Sequence, residues 1–222
     1  MNKAPGSNKN LPSPFIIEIV RILTISVSKV FWRIKFRNTH NIPQSLKSGL
    51  VVAANHQTYF DPFWICVPIK RRFRFMAWDV AFDWFIIGKL IRRLGAFPVS
   101  LKKGGSIRAM KDALEFLRNG DTLIIFPEGE REFSEGKQLK FRSGAVRIAT
   151  EANVPILPVT IRGANRVWSQ DHKLPSFGRV EIIYHPILKT SENKNLKGKS
   201  DQLADLNNQL TKIIASAQRD IL

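Results

Sequence analysis

The residues of this chain that are best suited to chemistry are His56 and Asp61, five positions apart. They follow the apolar run Leu50–Ala54, which predicts a short buried strand. In open α/β sheets, ligands bind beyond the carboxyl ends of the strands, which is where this pair falls. A carboxylate bonded to one imidazole nitrogen fixes the tautomer and leaves the other nitrogen able to accept a proton. The spacing therefore predicts a general base, His56, oriented by Asp61.

Other kinds of catalytic motif are missing from the sequence. It has no Gly-x-Ser-x-Gly elbow, no P-loop and no dinucleotide fingerprint. The remaining histidines, His40, His172 and His185, are scattered, so we expect no metal site and no cofactor. A His–carboxylate pair without a protein nucleophile indicates that the substrate supplies the attacking hydroxyl.

A second polar motif, Phe126-Pro127-Glu128-Gly129, ends another predicted strand and can share a crevice with His56. Gly129 lets the backbone approach a ligand closely, and the nearby Arg131 can bind a phosphate. The residues predicted to contact substrate are therefore Asn55, Glu128, Gly129, Arg131, Lys102, Lys103, Lys140 and Arg142. For each of the lysines, the alternative is an ordinary solvated surface position.

Apolar patterns typical of strands alternate with patterns typical of helices along the chain. This alternation predicts an α/β fold with a mostly parallel or mixed central sheet flanked by helices. Four parts are expected: a flexible tail (1–13), an N-terminal amphipathic helical segment (14–40), an α/β domain (41–190), and a polar linker with a C-terminal helix (191–222).

The N-terminal segment has two possible roles. Residues 15–36 are mostly apolar, but Glu18, Arg21, Lys29 and Arg33 interrupt them and fall within an arc of about 120° on a helical projection. Charges this frequent argue against a membrane span and favour a helix lying in a membrane interface. The alternative is a helix packed on the protein's own core. The same two alternatives apply to residues 80–94, a predicted helix with aromatic and basic side chains.

Composition restricts the possible partners. The 222 residues are 44% hydrophobic, which argues against disorder, and carry a formal net charge of +17. Such a chain attracts anionic lipid, phosphorylated substrates, an acidic carrier protein or nucleic acid. The single cysteine, Cys66, lies in an apolar run and is expected to be a buried thiol in a reducing compartment. No secretory signal is apparent, and we expect a peripheral or monotopic protein on the cytoplasmic face of a membrane.

Four ordered blocks resemble the glycerolipid acyltransferase family, whose best-known members are the 1-acyl-glycerol-3-phosphate acyltransferases. The blocks are NHQTYFD at 55–61, GAFPV at 95–99, FPEG at 126–129 and VPILPV at 154–159. The resemblance implies acyl transfer from acyl carrier protein or acyl-CoA to the hydroxyl of a lysoglycerolipid. It also implies that His56 is catalytic with Asp61, that Glu128 and Gly129 serve the phosphorylated acceptor, and that no nucleic acid is bound.

Two positions depart from the family pattern. Ser100 stands where the second block usually ends in arginine, and Glu130 stands where the third block usually has threonine. Lys102 or Lys103 can replace the missing charge, or the acceptor lacks a simple phosphate monoester. The alternative acceptors are therefore another lysophospholipid or a lyso-aminolipid. A different class of function is a non-catalytic basic protein that binds membranes or nucleic acid.

Overall fold

A seven-stranded sheet forms the centre of the protein. The computed structural model describes residues 13–100, 105–131, 139–168, 174–190 and 198–218. The strands are β1 (Lys35–Arg37), β2 (Leu50–Ala54), β3 (Phe73–Trp78), β4 (Ala96–Val99), β5 (Thr122–Ile125), β6 (Ile156–Arg162) and β7 (Glu181–Tyr184). The helices are α1 (Pro14–Trp32), α2 (Asp61–Cys66), α3 (Ile87–Arg93), α4 (Gly105–Arg118), α5 (Gly144–Ala152), α6 (Ala164–Val167) and α7 (Lys199–Gln218).

The strand order is β1-β7-β6-β2-β5-β3-β4, and every neighbouring pair is parallel except β6 with β7. Strand β2 lies in the middle, where Val52 pairs with Ile124 of β5 and Leu157 of β6. The carboxyl ends of these three strands therefore meet at one edge of the sheet. The predicted α/β class with a mixed, mostly parallel sheet is confirmed.

Alternate residues of β2 enter two separate hydrophobic cores. Leu50, Val52 and Ala54 join the core beneath α1 and α2, whereas Val51 and Ala53 join the core beneath α4, α5 and α7. All five β2 residues are fully buried, as expected for a central strand covered by helices on both faces. The loop that follows β2 therefore starts from a rigid support.

Helix α1 begins as the sequence predicts and ends earlier than predicted. The Ser13 hydroxyl accepts a hydrogen bond from the Ile16 amide, and Pro14 occupies the first turn. The predicted continuation to residue 36 is wrong, because the helix ends at Trp32 and Arg33 adopts a left-handed conformation with φ 41°. The chain then forms β1, which pairs with β7. After Trp32 the chain therefore pairs with β7 and does not continue the helix that the sequence pattern predicted.

Helix α1 is apolar on two sides. Its inner side, including Ile16, Ile17 and Val20, packs against the core. Arg21 does not face solvent as part of a charged stripe; it pairs with Glu18 and donates to the Ile69 carbonyl at 2.9 Å. The outer face of α1 is 42–74% exposed and consists of Phe15, Ile19, Ile22, Leu23, Val27, Val30 and Phe31. Within the part of the chain that the structure describes, no helix is long and apolar enough to cross a membrane.

Residues 80–94 do not form the single helix that their pattern predicts. A 3₁₀ turn, Asp79–Phe82, is followed by exposed residues and by the short helix α3. The chain turns sharply between the two: a Cβ on Gly88 would lie 2.2 Å from the Phe82 carbonyl oxygen. Four aromatic and aliphatic side chains before and at the start of α3 are 45–79% exposed: Trp84, Phe85, Ile86 and Ile87.

Two further predictions can be compared with the structure. Cys66 is buried in the α1/α2 core, and burial raises the pKa of its thiol far above the usual value. Helix α7 forms as predicted and packs on β6 through the buried Leu210 and Ile214. The predicted N-terminal tail and the lysine-rich linker lie almost entirely outside the described residues.

Candidate active site

At the carboxyl edge of the sheet, the Asp61 side chain accepts hydrogen bonds through both of its oxygens. Its Oδ2 accepts hydrogen bonds from His56 Nδ1 at 2.8 Å and from the backbone amides of Gln57 at 2.6 Å and Thr58 at 2.8 Å. Its Oδ1 accepts from the Thr58 hydroxyl at 2.7 Å. The carboxylate is fully buried and is the first residue of α2, where the helix dipole favours negative charge. Asp61 therefore holds the whole turn in one conformation.

The contact with Asp61 determines the tautomer of His56. An ionised carboxylate can only accept hydrogen bonds, so Nδ1 carries the proton. In the neutral ring, Nε2 is then the nitrogen that can accept a proton. The ring is also stacked on Phe126, with centroids 3.9 Å apart and planes inclined by 15°. Because the His56 side chain is 17% exposed, one edge of it still reaches solvent.

The Asn55 side chain, which the sequence predicted to contact substrate, bonds to the backbone of the protein itself. Its side chain is fully buried; Nδ2 donates to the Ile161 carbonyl and Oδ1 accepts from the Ile161 amide, both at 2.7 Å. The amide thus joins the end of β2 to β6, and no part of it faces solvent. We replace the predicted substrate contact with a positioning role for the residue next to His56.

Gln57 is a positioning residue that sequence reasoning missed. It is 3% exposed, and its Oε1 accepts from the backbone amides of Ala164 and Asn165 at 3.2 and 3.4 Å. These amides belong to the start of α6, which follows β6. No local signal reveals this role, because the partners lie more than a hundred positions further along the chain.

The FPEG motif reaches the same edge of the sheet from β5. Glu128 is buried, and Gly129 has φ +77°, a conformation that side-chain-bearing residues rarely adopt. The Arg142 guanidinium packs against Gly129: a Cβ there would lie 3.1 Å from Cζ and Nε. The Arg142 amide also donates to the Pro127 carbonyl at 2.8 Å. Gly129 is therefore needed both for the turn and for the approach of Arg142.

Arg131 lies over the ring of Tyr59, with its Cζ 3.3 Å from the ring centroid. Burial lowers the pKa of the Arg131 guanidinium, while Tyr59 and Asp61 act in the opposite direction through charge. Because Tyr59 lies between His56 and Asp61 in the chain, the guanidinium lies against the turn that carries this pair. The structure thus brings together residues of the first and third blocks.

The remaining residues that were predicted to contact substrate are exposed or lie outside the described residues. Lys140 is exposed, and Lys102 and Lys103 lie outside the described residues. Ser100 directly follows β4 and is half-buried, whereas Glu130 is exposed beside Arg131. In the described ranges, no group of three or more His, Cys, Asp or Glu side chains is placed to hold a metal ion.

His185 lies outside the site. It bonds through Nε2 to the Thr160 hydroxyl at 2.8 Å, and burial lowers the pKa of its imidazole. The same hydroxyl donates to the Ile214 carbonyl of α7 at 3.1 Å. This histidine therefore helps to attach the C-terminal helix to the sheet.

An apolar groove lies between α1, α2 and the neighbouring part of the sheet. Its lining includes Pro62, the residue directly after Asp61 in the chain. The lining residues are Ile17, Val20, Arg21, Thr24, Pro62, Phe63, Cys66, Val67, Phe73, Phe75 and Leu94. Apart from Arg21 and Thr24 these are apolar or weakly polar, so the lining of the groove is mainly hydrocarbon.

Comparison with known proteins identifies the class. The model of the acyltransferase family matches residues 33–162, more than half of the chain. This chain therefore belongs to the acyltransferase family, and the resemblance inferred from the four blocks is confirmed.

Individual relatives are described as 1-acyl-sn-glycerol-3-phosphate acyltransferases. The chain is 36% identical over 130 residues to 1-acyl-sn-glycerol-3-phosphate acyltransferase of Streptococcus pneumoniae, covering 58% of this chain and 47% of that protein. It is 26% identical over 157 residues to the chloroplastic enzyme LPAT1 of Arabidopsis thaliana, covering 70% and 43%. The chain thus spans about half the length of these curated relatives.

A solved structure has the same fold. The crystal structure of the 1-acyl-sn-glycerophosphate acyltransferase PlsC from Thermotoga maritima superposes with a TM-score of 0.75 at 24% identity. The match covers 91% of this chain and 78% of that one. It therefore includes the sheet and most of the helices around it.

Proposed function

We propose that this protein transfers a fatty acyl group from a thioester to the free hydroxyl of 1-acyl-glycerol-3-phosphate, which yields phosphatidic acid. The observation that carries the proposal is the His56–Asp61 hydrogen bond of 2.8 Å, which leaves Nε2 as the proton acceptor. The descriptions of the relatives support the same reaction.

In the proposed mechanism, His56 Nε2 removes the proton from the acceptor hydroxyl as its oxygen attacks the thioester carbon. Asp61 stabilises the imidazolium that forms, because its carboxylate lies 2.8 Å from Nδ1. The tetrahedral intermediate then collapses, the carbon–sulfur bond breaks, and the thiolate takes the proton from Nε2. The new ester bond forms directly on the acceptor, so no covalent acyl-enzyme is required.

The acceptor phosphate is best accommodated beside the FPEG motif. Arg131 lies against Tyr59, and Arg142 packs on Gly129, so two guanidinium groups lie beside the FPEG motif. Arginine binds phosphate oxygens through paired N–H donors. These arginines supply positive charge that can compensate for Ser100, which stands where the family pattern has arginine. This arrangement favours a phosphorylated acceptor over a lyso-aminolipid.

The apolar groove beside α2 is the proposed site of an acyl chain. Its lining includes Pro62, the residue after Asp61, and consists mainly of apolar side chains. A chain that enters it from the site buries its methylene groups against α1 and β3, which is favourable by about 0.8 kcal/mol for each CH₂.

The protein is proposed to act at the cytoplasmic surface of an anionic membrane. The outer face of α1 and the exposed residues 84–87 provide apolar side chains, and Lys89 lies 4.1 Å from the ring centroid of Phe85. Neighbouring apolar and cationic groups are typical of proteins that lie in a lipid interface. The net charge of +17 also suits an acidic acyl carrier protein as donor, and acyl-CoA is the alternative donor.

Acyl transfer from a labelled thioester to a panel of acceptors tests the proposal. The panel contains 1-acyl-glycerol-3-phosphate, glycerol 3-phosphate, a neutral lysophospholipid and a lyso-aminolipid, each with acyl carrier protein and with CoA as carrier. We expect 1-acyl-glycerol-3-phosphate to be preferred and His56→Ala to be inactive. A preference for another acceptor would reject the proposed substrate, and activity without His56 would reject the mechanism.

A further inference from the structure

The stack between Arg131 and Tyr59 joins the third block to the first, and Tyr59 has no role in the proposed mechanism. Tyr59 lies in the turn between His56 and Asp61, and the Arg131 Cζ lies 3.3 Å from its ring centroid. This distance is at the short end of the range in which a cation is attracted to the face of an aromatic ring. The two residues are therefore in direct face contact.

The turn that carries Tyr59 is held by hydrogen bonds between Thr58 and Asp61. The preceding Thr58 donates to Asp61 through both its amide and its hydroxyl, and the Asp61 amide donates back to the Thr58 carbonyl. The Tyr59 ring also contacts Trp168, with centroids 5.5 Å apart. Trp168 follows α6, whose first amides are bonded by Gln57. The position of the ring is thus determined by the same network that orients His56.

Stacking on Tyr59 orients the Arg131 guanidinium so that its N–H donors can bind a phosphate. A guanidinium that contacts a ring through its flat face keeps its N–H donors in the plane of the group, where they can pair with two phosphate oxygens. Arg131 is half-buried and lies against the turn that carries Asp61. A flexible arginine at this position would have to be ordered each time an acceptor binds, at a cost in entropy.

We infer that Tyr59 is a positioning residue for the acceptor, whose aromatic ring holds the Arg131 guanidinium ready to bind the acceptor phosphate. This inference rests on the proposed function, since it assigns a determinant of acceptor specificity to the same site. The ring face is the essential feature, so phenylalanine at position 59 serves as well as tyrosine. An aliphatic side chain of similar size does not.

The test compares Tyr59→Leu with the matched control Tyr59→Phe. Tyr59 is 52% exposed, so both variants are expected to fold, which circular dichroism checks. We expect Tyr59→Leu to raise KM for 1-acyl-glycerol-3-phosphate about 5- to 30-fold, the range that corresponds to a partly desolvated cation–π contact, with kcat within about threefold. Tyr59→Phe is expected to keep KM within about twofold.

A double-mutant cycle shows whether Tyr59 acts through Arg131. In an Arg131→Ala background, Tyr59→Leu should raise KM no further, because the group that the ring positions is gone. Equal effects of Tyr59→Leu with and without Arg131, or an unchanged KM in Tyr59→Leu, would overturn the inference. A general loosening of the site would instead lower kcat in both backgrounds.

Equilibrium binding of glycerol 3-phosphate separates the failure of this inference from the failure of the proposed function. Suppose that the wild-type protein transfers no acyl group, but that Tyr59→Leu weakens glycerol 3-phosphate binding only when Arg131 is present. The proposed function then fails, and the role of Tyr59 stands. If glycerol 3-phosphate binding and KM are both insensitive to Tyr59→Leu, the inference is wrong whatever reaction the protein catalyses.

Discussion

The imidazole of His56 and the ring of Phe126 lie face to face, 3.9 Å apart and inclined by only 15°. Phe126 is the first residue of the FPEG motif, so this stack ties the turn after β2 to the turn after β5. The Asp61 carboxylate restrains the edge of the imidazole, and Phe126 restrains its face. Rotation of the ring out of its plane would break both contacts, which keeps Nε2 aimed in one direction.

The first prediction concerns the catalytic pair. His56→Ala should abolish acyl transfer, and Asp61→Asn should lower kcat by about 10²- to 10⁴-fold, because an amide can stabilise the wrong tautomer. His40→Ala is the matched control, since His40 is exposed and lies in the 3₁₀ turn after β1. Steady-state kinetics with purified variants measures the effect. Full activity of Asp61→Asn would show that the pair does not act as a unit.

The second prediction concerns Asn55. Asn55→Ala removes both hydrogen bonds to Ile161 and leaves a buried amide and carbonyl without partners, which should lower the free energy of unfolding by about 2–4 kcal/mol. Asn208→Ala, at an exposed position of α7, should change it by less than about 0.5 kcal/mol. Urea denaturation compares the two. Equal stability of both variants would contradict the positioning role.

The third prediction compares two glycines. Gly129→Ala should lower the free energy of unfolding by about 1–2 kcal/mol, because alanine is strained at φ +77° and its Cβ would push on Arg142. We also expect a higher KM for the acceptor, since Arg142 must move. Gly144→Ala, which would place its Cβ in open space at the start of α5, should be neutral or slightly stabilising. Thermal unfolding and kinetics of both variants check this contrast.

The fourth prediction concerns the outer face of α1. Replacing Ile22, Leu23 and Val30 by serine should weaken binding to anionic vesicles more than tenfold, because each buried aliphatic side chain contributes about 1.5–3 kcal/mol. Stability in solution should change little, since the three side chains are exposed. Ile187→Ser, on a partly exposed residue remote from α1 in the chain, is the control. Unchanged vesicle binding in a sedimentation assay would reject the proposed membrane face.

Point substitutions are better suited to this test than removal of the N-terminal segment. The chain up to Arg37 includes β1, which is part of the sheet, and the buried Trp32, whose indole donates to the Ser176 carbonyl. A deletion would therefore disturb the core together with the outer face of α1.

The fifth prediction concerns the groove beside α2. Thr24→Trp should fill part of it and shift the preferred acyl group towards shorter chains, while kcat with a short-chain thioester is retained. Competition between thioesters of different length measures this preference. Thr211→Trp, at a half-buried position on α7, is a control for the general effect of a bulky substitution. An unchanged chain-length preference would remove the groove from the proposed acyl site.

The sequence predicted the parts of the site that depend on short spacing. A histidine and an aspartate five apart after an apolar strand were expected to form a hydrogen bond, and the structure contains it. Their catalytic role stays a prediction. The sheet class followed from alternating patterns, because a central strand such as β2 reads as a continuous apolar run.

The parts that sequence reasoning missed all depend on partners far along the chain. Asn55 is bonded to Ile161, 106 positions away, and a polar residue beside a histidine gives no sign of this. The end of α1 was placed too late because residues 33–37 contain no Gly or Pro that would end a helix, and their pairing partner, β7, lies far along the chain. The Tyr59–Arg131 stack likewise requires the order of β2 and β5 in the sheet, which spacing alone does not reveal.

The pairing of β1 with β7 also has a consequence for biosynthesis. Arg37 and Glu181 form an ion pair although they are 144 positions apart, so the strand after α1 has no neighbour in the sheet until β7 has been made. At about 5–20 residues per second, the ribosome needs roughly 7–30 s to cover that interval. During this time the β1–β7 edge of the sheet does not exist, and a lipid surface or a chaperone can meet the exposed outer face of α1 before the sheet is complete.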